Sequence, residues 1–308
     1  MKATIVICSR NRAKSLARTL ESIAAMDVPD RTSWEVLVVD NGSTDDTRAV
    51  VDSFKTTLPI RYALEPEAGV SHARNLAVVE AAGEYIVWTD DDVLVDRAWL
   101  RAYLAAFRRW PDAVLFGGKT LPLFEGTAPA WLNETFHILG GVFAFRDFGD
   151  TPVPFTLEGR VIPFGSNYAV RTTEHKAHPF NPDLGPRPGK PIYGEETDVI
   201  EAILRGGGTG YWVPEAKVQH CIPADRMTLD YIDRYYRGYG RYLAYSDKNT
   251  ASPHLFGAPR WLWRRMGGNT IRYGVRRLFS GPAACMEHRI SCAVDRGMLE
   301  YYRRTVSR

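Results

Sequence analysis

The sequence predicts a doubly wound α/β fold around a mostly parallel, Rossmann-like sheet. Strand-like and helix-like segments alternate four times between residues 3 and 110. The strand-like segments are near-continuous apolar runs, as strands covered on both faces are. Charged and polar residues gather where those runs stop, and open α/β sheets bind ligands beyond the carboxyl ends of their strands.

Each element follows from its local pattern. "ATIVIC" (3–8) reads as a buried strand, and "AKSLARTLESIAAM" (13–26) as a helix with Leu16, Leu20 and Ile23 on one face. "WEVLVVD" (34–40) is a second strand, followed by a helix over 43–55 with Ser43 or Thr44 as its cap. A strand over 60–65 leads to a helix over 69–82 that Gly83 closes. The fourth pair is "EYIVWT" (84–89) and a helix over 97–110. Beyond Trp110 the pattern loosens. A strand is expected over 113–119, irregular loops over 120–160, a strand with a turn over 161–171, within 191–208 a helix opened by the acidic cluster and stopping at Gly206, and two short strands over 210–223. From Thr228 onward the spacing is helical. Two regions are expected: a catalytic domain over 1–225, with halves 1–118 and 119–225, and a helical, Arg-rich C-terminal extension over 226–308.

Bulk properties narrow the class. A chain of 308 residues with 45% hydrophobic and 24% charged residues is an ordinary globular protein. Its net charge is +3, yet Gly257–Arg308 holds eleven arginines, no lysine and three acidic residues. The four cysteines, Cys8, Cys221, Cys285 and Cys292, form no CxxC pair, which argues against a zinc site and a disulfide framework. Met1 leads directly into a strand, and no apolar run approaches the ~18 residues of a membrane span. A cytoplasmic protein with reduced thiols is expected.

The chemistry lies at the strand ends. Asp90, Asp91 and Asp92 end the fourth strand, and like charges so close repel. One reading is a solvated turn capping the next helix. The other is a divalent cation, since Mg²⁺ and Mn²⁺ prefer carboxylate oxygens and commonly share phosphate oxygens. Asp40 at the second strand end is either a helix cap or an acceptor for a base N–H or ribose hydroxyls. Arg74, early in the third helix, is either a surface residue or a planar fork for phosphate or a base carbonyl. The first turn reads "SRNRAK", which lacks the glycines of a dinucleotide site, and no P-loop occurs.

In the order "TIVICSRNRAKSLARTLESI", "EVLVVDNGSTDDT", "EAGVSHARNLAVVEAAGEYIVWTDDDV" and "GEETDVIEAILRGG", the chain resembles the inverting, GT-A-fold glycosyltransferases of family 2. The resemblance spans roughly residues 3 to 222. It implies that Ser9, Arg10 and Asn11 line the nucleoside pocket, that Asp40 binds the base, and that Arg74 contacts the base or a phosphate. Asp90 would approach the ribose, with Asp91 close by, and Asp92 would bind Mn²⁺ or Mg²⁺ in a DxD-type motif filled as DDD. The implied donor is a nucleotide-diphospho-sugar, UDP being the commonest nucleotide for the fold. The implied acceptor is a glycan, lipid-linked or small-molecule hydroxyl, in surface-polysaccharide or glycoconjugate assembly.

Sugar transfer needs a base for the acceptor hydroxyl, and one displacement needs only one. The family usually places Glu-Asp where this chain has Glu195–Glu196, so Glu196 is the expected base and Glu195 the second candidate. Acidic residues in a first helical turn also simply favour the helix dipole. His220 is either a packed histidine or, as the resemblance allows, a ligand completing the metal site. Gly165, Ser166 and Asn167 resemble the segment before the acceptor site and would line the sugar pocket. Trp131, Trp88 and Trp212 are either sugar-stacking or core residues, Trp88 favouring the core. "RWLWRRMGGNTIRYGVRRLF" (260–279) reads as a basic amphipathic helix for peripheral membrane contact or as a helix packed on the catalytic domain, with Gly267–Gly268 expected to interrupt it. No nucleic-acid reader motif accompanies it. Two other classes share the topology. A sugar-phosphate nucleotidyltransferase would need a Gly-rich first loop. An inactive GT-A-fold binding protein would have lost Asp92 or both glutamates.

Overall fold

The computed structural model describes residues 2–30, 32–186, 192–247 and 252–306. The chain folds as two compact units. The first comprises Met1–Leu123, Phe143–Gly189 and Glu195–Cys221, and the second Phe124–Val142, Lys190–Gly194 and Ile222–Arg308.

The first unit opens with the expected alternation: β1 (Lys2–Ser9), α1 (Ala13–Ala24), β2 (Ser33–Asp40), α2 (Thr47–Ser53), β3 (Ile60–Leu64), α3 (Val70–Glu80) and β4 (Tyr85–Asp90). β1 pairs in parallel with β2 and β4, and β2 with β3. Next come β5 (Val93–Val95), α4 (Trp99–Arg109) and β6 (Leu115–Glu125), then α5 (Ala130–Leu139) in the second unit. β7 (Asn167–Arg171), α6 (Thr172–Ala177), α7 (Glu195–Arg205) and β8 (Gly210–Pro223) complete the eight-stranded sheet, in the order β3-β2-β1-β4-β7-β6-β8-β5. β7 runs antiparallel to β4 and β6, and β5 antiparallel to β8.

The apolar strands are buried on both faces, one set of alternate residues to each side. Ile5, Ile7, Val36, Val38, Tyr85 and Val87 pack with Leu16, Leu20 and Ile23 of α1 and with Trp99, Tyr103 and Phe107 of α4. Val6, Leu37, Val39, Ile86 and Trp88 pack with Ala73 and Ala77 of α3 and with Val199, Ile200 and Ile203 of α7. Trp88 and Trp212 are both core residues.

Several boundaries differ from expectation for local reasons. α2 starts at Thr47 because Ser43 and Thr44 are engaged elsewhere. The Ser43 hydroxyl accepts from the Asn11 amide, and the Thr44 amide donates to Asn11 Oδ1. Asp45 instead accepts from the Ala13 and Thr47 amides, tying the start of α1 to that of α2. β5 is too short to announce itself, and pairing with β8 defines it. β8 runs as one strand through Pro214 rather than as two. α5 lies where loops were expected, started by Pro129 and carrying Leu132, Thr135 and Leu139 inward.

In the second unit α8 (Leu229–Ser246) is capped by Thr228, whose hydroxyl accepts from the Tyr231 amide. A hairpin of β9 (His254–Leu255) and β10 (Ala258–Pro259) precedes α9 (Arg260–Phe279), and α10 (Met286–Val306) closes the chain. α8 and α10 approach backbone to backbone. A Cβ on Gly240 would strike Val294 O, and one on Gly297 would strike Arg237 O. No described helix is long and apolar enough to cross a membrane.

Candidate active site

The parallel register sets the site. Ser9 pairs with Asp40 and Cys8 with Asp90, so three strand ends finish level and present their residues along one edge. Asp40 is nearly fully buried. Its Oδ1 accepts from the Ser43 amide at 2.8 Å and its Oδ2 from the Tyr62 hydroxyl at 2.8 Å. Asn11 adopts a left-handed backbone (φ 53°) and pins the β1–α1 turn to Ser43 and Thr44. Arg10 is exposed.

The aspartates are interlaced with arginines. Ser9 Oγ donates to Asp91 Oδ2 at 2.7 Å. Arg12 donates from Nη1 to Asp91 Oδ1 at 2.6 Å and from Nη2 to Asp92 Oδ2 at 2.7 Å. Burial pushes the Asp91 carboxyl up to about 7; Arg12 opposes the rise and the charge of Asp92 adds to it. Asp90 is pushed up to about 6, by burial first and by Asp92 next, with Arg74 opposing. Its side chain keeps 39% of its surface open, so solvent offsets part of that rise. Arg12 is the residue sequence reading missed. The signal was a second arginine two places beyond Arg10 in the same turn.

Arg74 is a buried guanidinium facing three carboxylates. Nη1 donates to Glu195 Oε1 at 2.8 Å, Nη2 pairs with Glu196 Oε1, and Nη2 also stands 3.9 Å from Asp90 Oδ1. Burial alone would lower its affinity for a proton, but Glu196 and Glu195 outweigh that and hold it charged. Glu195 is buried and is pushed up to about 7, by burial first and the charge of Glu196 second, against the pull of Arg74. Glu196 is the more open of the pair, its side chain 23% exposed, and Gly165 lies directly against its carboxylate.

His220 faces Asp92 because Val93 of β5 is its partner across the ladder. Its Nδ1 lies 2.8 Å from the Phe143 carbonyl, which can only accept, so Nδ1 carries a proton. That leaves Nε2 toward Asp92 Oδ2, 3.4 Å away. Burial lowers the proton affinity of the ring, but the hydrogen bond and charge of Asp92 raise it further than burial lowers it. Among the described residues, five carboxylates (Asp90, Asp91, Asp92, Glu195 and Glu196) thus gather around Arg12, Arg74 and His220. Among the described residues no three His, Cys, Asp or Glu side chains converge on one ion position.

The segment expected to line the sugar pocket divides. Gly165 borders Glu196, and Ser166 is buried with its hydroxyl 3.5 Å from that of Thr120. Asn167 is in the core. Its Oδ1 accepts from Trp99 Nε1 at 2.8 Å and from the Tyr103 hydroxyl at 2.7 Å, and its Nδ2 donates to Lys119 O and Ala216 O. No hydrogen-bonding capacity remains for a sugar, and the amide knits α4, β6, β7 and β8 together. Asn167→Ala strands two donors and two acceptors. Chemical denaturation of that variant is expected to show a loss of about 3 kcal/mol. Trp131 sits half-buried on α5 in the second unit.

Level ends of parallel strands, with Ser9 on β1 beside the acidic ends of β2 and β4, define the class of site. Residues 4–148 match the family model described as Glycosyl transferase family 2. The Succinoglycan biosynthesis protein ExoM of Rhizobium meliloti (strain 1021) is 30% identical over 247 residues, which cover 78% of this chain and 74% of that relative. The chain belongs to glycosyl transferase family 2, and it is a glycosyltransferase of GT-A fold. Mannosyltransferase PcManGT from Pyrobaculum calidifontis, solved with GDP-Man and Mn²⁺, shares the fold at a TM-score of 0.63 and 18% identity, over 97% of this chain and 86% of that one. TarS 1-349 of S. aureus, solved with UDP-GlcNAc, shares it at a TM-score of 0.59 and 17% identity, over 99% and 92%.

Proposed function

We propose that the edge formed by the ends of β1, β2 and β4 binds a nucleoside-diphosphate sugar, with UDP as the nucleotide, and that the enzyme transfers the sugar to an acceptor hydroxyl with inversion. The observation that carries this reading is the run of carboxylates Asp90 to Asp92 at the end of β4, with Asp92 and His220 set side by side. A diphosphate is itself anionic, so it needs a cation to share that edge.

Asp92 and His220 fit Mn²⁺ or Mg²⁺. The Nδ1–H donation to Phe143 O is the arrangement that frees Nε2 as a ligand, and imidazole beside carboxylate suits Mn²⁺ better than Mg²⁺. Two protein ligands are few, and diphosphate oxygens and water would complete the shell. When bound, the ion would stabilise the negative charge that develops on the departing diphosphate. Arg12, 35% exposed and paired with Asp92, would have to release that carboxylate to admit it.

Asp40 accepts from a base N–H or a ribose hydroxyl, and the half-open Asp90 reaches the ribose. Glu196 takes the proton of the acceptor hydroxyl as its oxygen bonds to the anomeric carbon and the bond from that carbon to the diphosphate oxygen breaks. Arg74 positions Glu196 and Glu195 rather than lending its fork to the nucleotide. The acceptor is a glycan, lipid-linked or small-molecule hydroxyl in polysaccharide or glycoconjugate assembly. The named role of the Rhizobium relative supports that context. Calorimetric titration of UDP, GDP and dTDP, with and without Mn²⁺, tests the reading. Metal-dependent binding of UDP above the others supports it, and no binding of any nucleotide contradicts it.

A pH dependence follows. Protonating Glu195, pushed up to about 7, removes one of the charges that share Arg74 and leaves Glu196 more tightly held. Turnover is expected to rise with pH through an acid limb near 7 set by Glu195, and to lose that limb in Glu195→Gln. Stability runs the other way. Glu195 and Asp91 have raised folded-state values, so their contribution is full below the ordinary carboxylate range and is lost as pH rises through about 7. Thermal melting of the ligand-free protein across that window reads this second trend.

A further inference from the structure

One side of α9 is packed and the opposite side is bare. Leu262 is fully buried, Arg265 and Asn269 donate to the Asp295 carboxylate, and Arg289 donates to the Tyr273 hydroxyl at 3.2 Å. On the other side Ile271, Val275, Leu278 and Phe279 are 68%, 54%, 78% and 83% exposed. Their spacing places them in a single stripe over the last turns of the helix. Gly267, Gly268 and Gly274 flatten that same side, and a Cβ on any of them would meet nothing within 4 Å. Contrary to expectation, the glycine pair does not interrupt the helix. Each glycine costs only about 1 kcal/mol in a helix interior, and the packed side offsets it.

Arginines edge the stripe. Arg272 and Arg276 lie on one flank, Arg277 on the other, and Arg264 continues the line toward the start of α9. All four are exposed and none forms an ion pair among the described residues. No acidic residue occurs anywhere from 248 to 286.

We propose that this face of α9 rests on an anionic phospholipid surface, the apolar stripe entering the acyl boundary and the arginines meeting lipid phosphates. The stripe supplies apolar area and its flanks supply the charge, the two parts of interfacial binding. A second copy fits poorly. A two-fold contact would set arginines of one copy against arginines of the other, with no acid nearby to relieve them. A purely phosphate-bearing polymer would leave the stripe bare. The proposal stands independently of the donor and the base.

Flotation of the full chain with vesicles tests it. Wild type is expected to float with phosphatidylcholine vesicles containing roughly one-third phosphatidylglycerol, to stay behind with phosphatidylcholine alone, and to be released by salt. The double variant Leu278→Glu, Phe279→Glu should lower the partition coefficient roughly 100-fold. Arg272→Gln and Arg276→Gln should lower it about fivefold each. These side chains support nothing in the fold, so the thermal midpoint should not move. Failure of wild type to float with the anionic vesicles overturns the proposal, as does unchanged flotation of the double variant. So does a concentration-dependent dimer, without vesicle binding, that the double variant abolishes; that result assigns the face to a second copy.

Discussion

Glu196→Gln is expected to lower kcat by about 10³-fold while leaving UDP affinity within about twofold. Gln keeps the size of the side chain and its contact with Gly165, and it still offers an oxygen to Arg74 Nη2. What it loses is the ability to take a proton. The loss should therefore fall on turnover and spare binding, as removal of a general base does. Glu195→Gln distinguishes the two neighbours. Glu195 is buried against Arg74, so its loss should shift the pH profile and disturb the orientation of Glu196, with a smaller fall in kcat at high pH. UDP release from the donor in the presence of acceptor reads both variants. A larger fall in Glu195→Gln than in Glu196→Gln would reverse the two roles.

The second large effect belongs to Asp92. Asp92→Asn should weaken Mn²⁺-dependent UDP binding by about 100-fold and lower kcat by about 10² to 10³-fold, the scale of losing charge stabilisation on a leaving group. The amide keeps the volume between Arg12 and His220 but removes the charge that both face. Without it, the strand end loses the hard anionic ligand of the proposed pair, and His220 loses the neighbour that raises its proton affinity. Residual UDP binding that no longer responds to Mn²⁺ is the expected signature.

The parallel half of the sheet was legible because its signals are local. Each apolar run is a strand buried on both faces, and each helix repeats its apolar residues at helical spacing, so β1 to β4 and α1 to α4 could be read in order. The strand-end residues were legible for the same reason, since strand direction alone brings Ser9, Asp40 and Asp90 to one edge. What sequence could not show were choices made by partners distant in the chain. Arg12 is adjacent to Asn11 in sequence, yet its role is set by Asp91 and Asp92, some eighty positions away. Asn167 looks like a pocket residue in "PFGSNYAVR" and becomes a core amide because Trp99, Tyr103, Lys119 and Ala216 surround it. Arg74 has the fork to hold a phosphate and gives it to two glutamates that sequence places far along the chain. α2 begins later than its Ser–Thr signal because a loop residue reached that signal first.

The most direct test is to follow free Mn²⁺ by electron paramagnetic resonance while the protein is titrated in, with and without UDP, for wild type and Asp92→Asn. The account predicts weak capture of the ion by wild type alone, since Asp92 and His220 are the two protein ligands proposed, and strong capture once UDP is present. It predicts little capture by Asp92→Asn in either case. Equal capture by wild type and Asp92→Asn in the presence of UDP would contradict it and move the cation away from the end of β4.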